Sequence, residues 1–207
     1  MSTPLPTVDK HRLAGLQDGV YGIAMTLLVL ELKLPALGEH VSDAALWAAL
    51  VALWPKLLTW LLSFWVLAIF WLGDARALTT ITLLDRALLR MGLLRLALVS
   101  LLPFSTAFMG EHGDRAPAAA IYAAHLFLLA AAQSLRHMYL QRHPAVVSWP
   151  DRTSSTEAGT QAFTTLACTV AAIGLAFVVP GYNMLALLPI LLIGIVRRFR
   201  REAFGAG

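Results

Sequence analysis

The stretch from 12 to 35 reads RLAGLQDGVYGIAMTLLVLELKLP, and it determines the fold class of the chain. Its apolar part, 13–34, is long enough to cross a bilayer as a helix, which takes about 20 mostly apolar residues. Gln17 and Asp18 lie near its start, and Pro35 follows its end. No short apolar core with a small-residue cleavage site precedes it. We therefore expect a membrane helix here and not a cleaved signal peptide.

The composition of the whole chain is that of a membrane protein. Of its 207 residues, 58% are hydrophobic and 14% are charged, whereas soluble domains average roughly half apolar and about a quarter charged residues. Six segments are apolar and long enough to span a bilayer. We predict an all-α membrane protein with a single six-helix transmembrane domain over 1–207, with spans at 13–34, 44–72, 87–109, 117–135, 158–179 and 182–199.

The basic residues lie mainly in the loops on one side of this topology, whereas the opposite loops are mainly acidic. The basic set comprises Lys10, Arg12, Arg76, Arg86, Arg136, Arg142, Arg152, Arg197, Arg198, Arg200 and Arg201. Because basic loops stay on the cytoplasmic side, both termini are predicted to be cytoplasmic, in a multi-pass protein of the bacterial inner membrane. Topology also explains the formal net charge of +4, so we expect no nucleic-acid partner.

Charged residues within or beside the predicted spans are costly, and they usually have a pairing or functional role. Asp18, Arg90 and Arg95 lie at a similar depth near the cytoplasmic side, and Asp74 and Asp85 lie in the adjoining connection. Acids and bases at one depth predict an ion-pair network between helices. The alternative is that each charge reaches the lipid headgroups separately.

No arrangement typical of an enzyme is visible in the sequence. There is no Ser/His/Asp set, HExxH motif or Gly-rich phosphate loop, and the six histidines show no metal-ligand spacing. His125, in the middle of a span, is expected to be a packing or hydrogen-bonding residue. The single cysteine, Cys168, excludes a disulfide within the chain and a Cys-based metal site. We expect no catalytic residues, no metal and no cofactor.

The stretch from 12 to 35 resembles the first-helix signature of the transmembrane protein 175 family, the endosomal and bacterial potassium channels. That signature is an arginine, three residues, then Phe-Ser-Asp, followed by an apolar helix. Arg12 and Asp18 match it, whereas Leu16 replaces the phenylalanine and Gln17 replaces the serine. The resemblance implies a potassium channel subunit with six spans, which assembles as a homotetramer in the bilayer and conducts K⁺ with modest selectivity.

Two further runs are similar to the ends of the family's second and third helices. They are SFWVLAIFWLGDARAL, beginning at Ser63, and LVSLLPFSTAF, beginning at Leu98. The chain departs from the family where a histidine pair and a Trp-x-Asn motif normally brace the first helix, because Asp74 and Arg90 stand near these places.

We hypothesise that salt bridges replace this brace, with Asp18 or Asp74 paired to Arg90 or Arg95. The predicted network comprises Arg12, Gln17, Asp18, Asp74, Arg90 and Arg95.

The resemblance also implies that copies of the first helix surround a central axis and that large apolar side chains form the constriction. By position from Asp18, those side chains are Ile23, Leu27 and Leu30. At about 100° per residue they fall within an arc of about 60°, and Asp18 points roughly 140° away from Ile23. Such a ring can close a pore by excluding water.

Two smaller residues, Gly19 and Thr26, flank the predicted constriction. The Thr26 hydroxyl either faces a passing ion or bonds back to a carbonyl of its own helix, and the sequence leaves both open. Two other functions also remain open: a secondary transporter, although no internal repeat or paired broken helices are visible, and a non-conducting membrane scaffold with the same fold.

Overall fold

The computed structural model describes residues 9–33, 41–150 and 152–190, which are almost entirely helical. The helices are α1 (Lys10–Leu27), α2 (Asp43–Ala52), α3 (Trp54–Thr80), α4 (Arg86–His112), α5 (Ala116–Arg142) and α6 (Arg152–Val178). Short 3-10 turns occupy Leu28–Glu31, Pro144–Val146 and Asn183–Leu187. Within the described residues, five helices are long and apolar enough to cross a membrane, namely α1 with its 3-10 extension, α3, α4, α5 and α6. The predicted sixth span, 182–199, lies largely outside the described residues.

The structure differs from the predicted second span, 44–72, because two helices replace it. The chain leaves α2 through a tightened turn in which the Leu53 N–H donates to the Leu50 carbonyl at 3.1 Å. Pro55 follows at the start of α3. Its missing N–H is tolerated in a first turn, but proline cannot donate the hydrogen bond that would continue α2 into α3. The short α2 begins with a cap, since Ser42 Oγ accepts from the Ala45 N–H at 3.2 Å.

The helices α5 and α6 are longer than the predicted spans 117–135 and 158–179. The helix α5 continues to Arg142, and the residues added to it include the buried Arg136 and His137. Polar residues after the apolar run were predicted to leave the helix, but they turn inward and find partners within the protein. The connection between the predicted spans therefore shrinks to the segment between Arg142 and Arg152.

The helix α5 occupies the centre of the main core, and its buried residues extend along its whole length. It packs most extensively against α6 and α4. One close approach between α5 and α6 requires glycine, since a Cβ on Gly159 would lie 2.8 Å from His137 Nε2. The helix α1 packs on α4 and, less extensively, on α3, so it lies on one side of the bundle.

A second, smaller apolar cluster joins the helix ends at the side that carries Lys10, which we call the basic end. It comprises Leu13, Leu78, Ile81, Leu88, Leu140 and Val146. The α3–α4 and α5–α6 links pair here through two backbone bonds, Thr82 N–H to the Val146 carbonyl at 3.0 Å and Ser148 N–H to the Thr80 carbonyl at 2.8 Å. The Lys10 ammonium donates to the Ile81 carbonyl at 2.8 Å, which ties the start of α1 to the same links.

Candidate functional site

The helix α1 has one buried face and one exposed face. Its buried residues are Leu13, Gln17, Tyr21 and Ala24, followed by Leu28 in the 3-10 turn. This face packs on α3 and α4. The opposite face, which contains the predicted constriction, has no partner among the described residues of the single chain.

The predicted constriction residues all lie on that exposed face. Ile23 is 62% exposed, Leu27 41% and Leu30 59% in the single chain. Leu30 belongs to the 3-10 turn, so its direction departs from that expected of an ideal α-helix. The exposed face is therefore free to meet another helix, lipid or an aqueous axis.

Small residues line the middle of the same face. A Cβ added to Gly15, Gly19 or Gly22 would meet no other atom within 4 Å. Packing among the described residues therefore gives no reason for these glycines. Thr26 Oγ1 donates to the Ile23 carbonyl at 2.8 Å. In this structure the hydroxyl therefore bonds to a carbonyl of its own helix.

The three polar residues at the start of α1 occupy different environments. Asp18 Oδ1 accepts a hydrogen bond of 2.8 Å from Trp71 Nε1 on α3, and both residues are exposed in the single chain. Gln17 is buried, whereas Arg12 is exposed and makes no ion pair with a described residue. The structure therefore links Asp18 to α3 through an indole and not through an arginine.

Four helices meet at the carboxylate of Asp74, which is 1% exposed. Its Oδ2 accepts from Tyr21 Oη of α1 at 2.6 Å and from Arg95 Nε of α4 at 2.7 Å. Arg136 Nη2 of α5 lies 2.7 Å from Oδ1 as a charge contact, although its angles are not those of a hydrogen bond. We call Tyr21, Asp74, Arg95 and Arg136 the Asp74 cluster.

Arg95 is held on several sides and is 2% exposed. Its Nη1 donates to the Leu129 carbonyl of α5, and its guanidinium carbon lies 5.1 Å from the centre of the Phe70 ring. Such a stacking position adds a favourable cation–π interaction. Its Nη2 is buried and has no hydrogen-bond partner within the described residues.

The structure brings together only part of the predicted network. Asp74 pairs with Arg95, whereas neither Asp18 nor Arg90 joins the ion pair. Arg90 is exposed, and its Nε donates to the Arg86 carbonyl of its own helix at 3.3 Å. Arg90 and Arg95 are five residues apart, about 140° around α4. They therefore lie on different sides of the helix, and only Arg95 is buried.

Sequence reasoning missed two members of the Asp74 cluster. Arg136 was counted as a loop charge because the apolar run ends at Leu135. Tyr21 was not distinguished from its apolar neighbours. The signal for Tyr21 was available, since it lies on the face of α1 opposite Ile23, at about 200° around the helix. The cluster holds one carboxylate and two guanidiniums, so it carries one excess positive charge.

A second buried polar network lies between α3, α4 and α5. Ser63 Oγ and Tyr122 Oη are 2.9 Å apart, and Thr106 Oγ1 donates to Ser63 Oγ at 3.1 Å. His125, expected to be a packing or hydrogen-bonding residue, lies 2.8 Å from Ser105 Oγ through Nδ1 and 2.9 Å from the Leu98 carbonyl through Nε2. His125 therefore contacts both a side chain and a backbone carbonyl of α4.

Asp85 anchors the basic end. Its Oδ1 accepts from the Leu88 N–H at 2.8 Å, which caps α4, and its Oδ2 accepts from Tyr139 Oη at 2.6 Å. Partial burial alone would raise the pKa of this carboxyl, but the hydrogen bonds from Leu88 and Tyr139 outweigh burial and hold the pKa below its ordinary value. In the part of the chain that the structure describes, no group of three or more His, Cys, Asp or Glu residues is placed to hold a metal ion.

Comparison with known proteins finds relatives that are potassium channels. The profile of the family described as endosomal/lysosomal potassium channel TMEM175 matches residues 12–103. A potassium channel of Streptomyces collinus is 34% identical over 138 residues, which cover 65% of this chain and 66% of the relative. A potassium channel of Chamaesiphon minutus is 37% identical over 120 residues, covering 56% of this chain and 58% of the relative. The chain thus aligns with slightly less than two thirds of the length of these curated relatives.

A solved structure covers more of the chain. The crystal structure of a lysosomal potassium-selective channel TMEM175 homolog from Chamaesiphon minutus superimposes with a TM-score of 0.73 at 27% sequence identity. The match covers 92% of this chain and 97% of the other. These similar proteins are channels and not enzymes, in agreement with the expectation from sequence. The matched profile, the identities and the shared fold lead to one conclusion: the chain belongs to the endosomal/lysosomal potassium channel TMEM175 family.

Proposed function

We propose that this chain is a subunit of a potassium-permeable cation channel, whose pore is lined by α1 from four copies around a central axis. The single observation that supports this most directly is the division of α1 into two faces. One face is packed into the bundle, whereas the other presents Ile23, Leu27 and Leu30 without a partner in the single chain. The names of the relatives as potassium channels give the ion.

An oligomer would supply a passage that the described part of one bundle does not offer, because α5, which is buried along its length, occupies the centre. A symmetric assembly creates a passage at the symmetry axis. The glycines at 15, 19 and 22, which no atom of the described residues crowds, would let helix backbones of neighbouring copies approach closely.

In the proposed pore the constriction is apolar. A ring formed by Ile23, Leu27 and Leu30 would close the passage by excluding water and open when the ring widens. Potassium gives up its hydration shell more readily than sodium, so a narrow apolar ring favours K⁺ modestly. Thr26 contributes no free hydroxyl proton in this conformation, because it donates to the Ile23 carbonyl.

We further propose that the Asp74 cluster braces α1 in place of the brace of the family. The Tyr21 hydroxyl links α1 to a carboxylate that also contacts α4 and α5 through Arg95 and Arg136. The basic end is proposed to face the cytoplasm, because Lys10, Arg76, Arg86 and Arg142 lie there. The bacterial sources of the relatives suggest a bacterial inner membrane.

Potassium flux in proteoliposomes tests the proposal. The wild-type chain should carry K⁺ down its gradient without a coupled ion, and Ile23→Asn should change the flux severalfold by hydrating the constriction. Leu128→Asn is the matched control, since Leu128 is also an exposed apolar residue, 50% exposed, in the middle of α5. This control should leave the flux unchanged.

The alternatives give different results in the same assay. A secondary transporter would require a driving ion and saturate, and a scaffold would pass no potassium. Equal changes in potassium flux for Ile23→Asn and Leu128→Asn would show that α1 does not line the pore.

A further inference from the structure

An open cavity of about 360 Å³ lies at the basic end. It is lined by Leu140, Gln141, Pro144, Val147, Trp149 and Ser155. These residues come from the last turn of α5, the link after it and the first turn of α6. Sites for small molecules typically occupy about 300–1,000 Å³, so the cavity has room for part of a ligand of that size.

The cavity lies at the level where two membrane-spanning helices end. Gln141 stands next to the last residue of the span Ala116–Arg142, and Ser155 lies near the start of the span Thr153–Val178. Trp149, which forms part of the wall, is a residue type enriched at the boundary between lipid and water. A molecule in this cavity therefore meets both the hydrocarbon layer and the headgroup layer.

The lining has the two chemical characters that an amphiphile requires. Pro144 and Val147 supply aliphatic surface beside the buried Leu140, whereas Gln141 and Ser155 supply an amide and a hydroxyl. The Gln141 amide nitrogen already lies 2.9 Å from His137 Nε2, so the polar part of the lining consists of the amide oxygen and the Ser155 hydroxyl.

One basic side chain stands beside the cavity without a countercharge. Arg142, the residue after Gln141, is exposed and makes no ion pair with any described residue. Two carboxylates lie near this end and keep their charge: Asp85 accepts hydrogen bonds from Leu88 and Tyr139, and Glu157 has an interaction of its own. The guanidinium of Arg142 is therefore the group that an anionic headgroup would meet.

We propose that this cavity binds an anionic phospholipid, with its phosphate beside Arg142 and the start of an acyl chain against Pro144 and Val147. The structure offers an exposed guanidinium, a polar wall and aliphatic side chains at the membrane boundary, and a phospholipid with a net negative headgroup complements all of them. The site does not include the exposed face of α1 and does not depend on the proposed pore.

Native mass spectrometry of the purified full-length chain tests the proposal. Delipidated protein is titrated with phosphatidylglycerol or phosphatidylcholine, and bound lipid is counted. We expect preferential retention of phosphatidylglycerol by the wild-type chain. Arg142→Gln should weaken retention about fivefold, since one basic residue near an anionic membrane surface contributes about 1 kcal/mol. Ser155→Phe, which fills the cavity, should abolish the preference.

Arg86→Gln is the matched control, because Arg86 is also exposed at the basic end and lies on α4. It should leave lipid retention unchanged. Circular dichroism and elution volume establish that each variant is folded, and Arg142→Gln keeps the test informative if Ser155→Phe does not fold.

Equal retention of the two lipids overturns the proposal. So does equal weakening by Arg142→Gln and Arg86→Gln, which indicates diffuse attraction between charges. Displacement of the lipid by excess inorganic phosphate alone would identify a free-phosphate site in place of a lipid site.

Discussion

Replacing Asp74 with asparagine should be the most destabilising of the conservative polar substitutions in this chain. The carboxylate is 1% exposed and compensates two guanidiniums at 2.7 Å. Asparagine preserves its shape but removes the charge, so Arg95 and Arg136 would be left without a counterion. Breaking a buried pair by removing one partner costs about 3–5 kcal/mol.

The two arginines should contribute unequally to that cost. Arg136 lies near the end of α5 and retains some exposure, so its guanidinium can extend toward the basic end. Arg95 is enclosed by Phe70 and the α5 backbone and has no such route. Most of the 3–5 kcal/mol expected for a broken buried pair should therefore arise from Arg95.

Arg136→Gln gives the sharpest comparison, because it removes the excess charge and leaves the Asp74–Arg95 pair neutral. We expect it to cost well below the ~3–5 kcal/mol of a broken buried pair, because Asp74 keeps Arg95 as its counterion and no charge is left unpaired. Asp18→Asn is the matched control for Asp74→Asn, since Asp18 is an exposed carboxylate with one hydrogen bond from Trp71. It should cost about 0.5–1.5 kcal/mol.

The assay is reversible unfolding of the purified protein in mixed micelles by titration with sodium dodecyl sulfate, followed by circular dichroism. The expected order of destabilisation places Asp74→Asn well above Asp18→Asn and Arg136→Gln. If Arg136→Gln cost as much as Asp74→Asn, or if Asp74→Asn were no worse than Asp18→Asn, the account of a single carboxylate holding an overcharged cluster would be refuted.

Three further predictions use the same measurement. Tyr21→Phe should cost about 1.5 kcal/mol, the lower value for a hydrogen bond to a charged group, because Asp74 keeps both arginines; no loss would show that the hydroxyl is not engaged. Gly159→Ala should cost about 1–3 kcal/mol through overpacking, since the new Cβ would lie 2.8 Å from His137 Nε2, whereas Gly174→Ala in the same helix meets nothing within 4 Å and should not destabilise. The folded-state pKa of Asp85 is depressed, so the wild type should lose the stability contributed by this carboxylate as pH falls below about 4, the ordinary Asp pKa, and through the lower folded-state pKa. Asp85→Asn keeps a capping side chain but removes the charge, so it should abolish this loss. An unchanged dependence of stability on acid pH would contradict the prediction.

The apolar runs predicted the membrane class and most of the long helices, because hydrocarbon length alone determines how many apolar residues a span requires. They failed at places where polar residues remain helical. Arg136 and His137 follow the apolar run of α5, yet both are buried, since partners on other helices satisfy them. The break before Pro55 was also hidden, because residues on both sides are apolar and only the missing N–H of proline divides α2 from α3.

The ion-pair network shows the same limit of sequence reasoning at the level of single side chains. Charge type and depth indicated that acids and bases meet near the basic end, and Asp74 with Arg95 do so. The choice between Arg90 and Arg95 depends on which side of α4 faces α3 and α5, and only the packed bundle determines that. Asp18 was expected to bind an arginine because of its charge, but a neighbouring indole lies within reach on α3.

The Asp74 cluster constrains α1 in a way that a neutral hydrogen-bonded brace would not. Tyr21 and Ile23 lie on opposite sides of α1, about 200° apart, so the direction of Ile23 is determined by the bond from Tyr21 to Asp74. A neutral brace that loses one partner forfeits about 1 kcal/mol per hydrogen bond, whereas loss of the carboxylate leaves buried charges unpaired. Any rotation of α1 that widens the proposed constriction must therefore keep the Tyr21 hydroxyl at Asp74 or carry the carboxylate and both arginines with it. This coupling predicts that α1 moves together with α4 and α5.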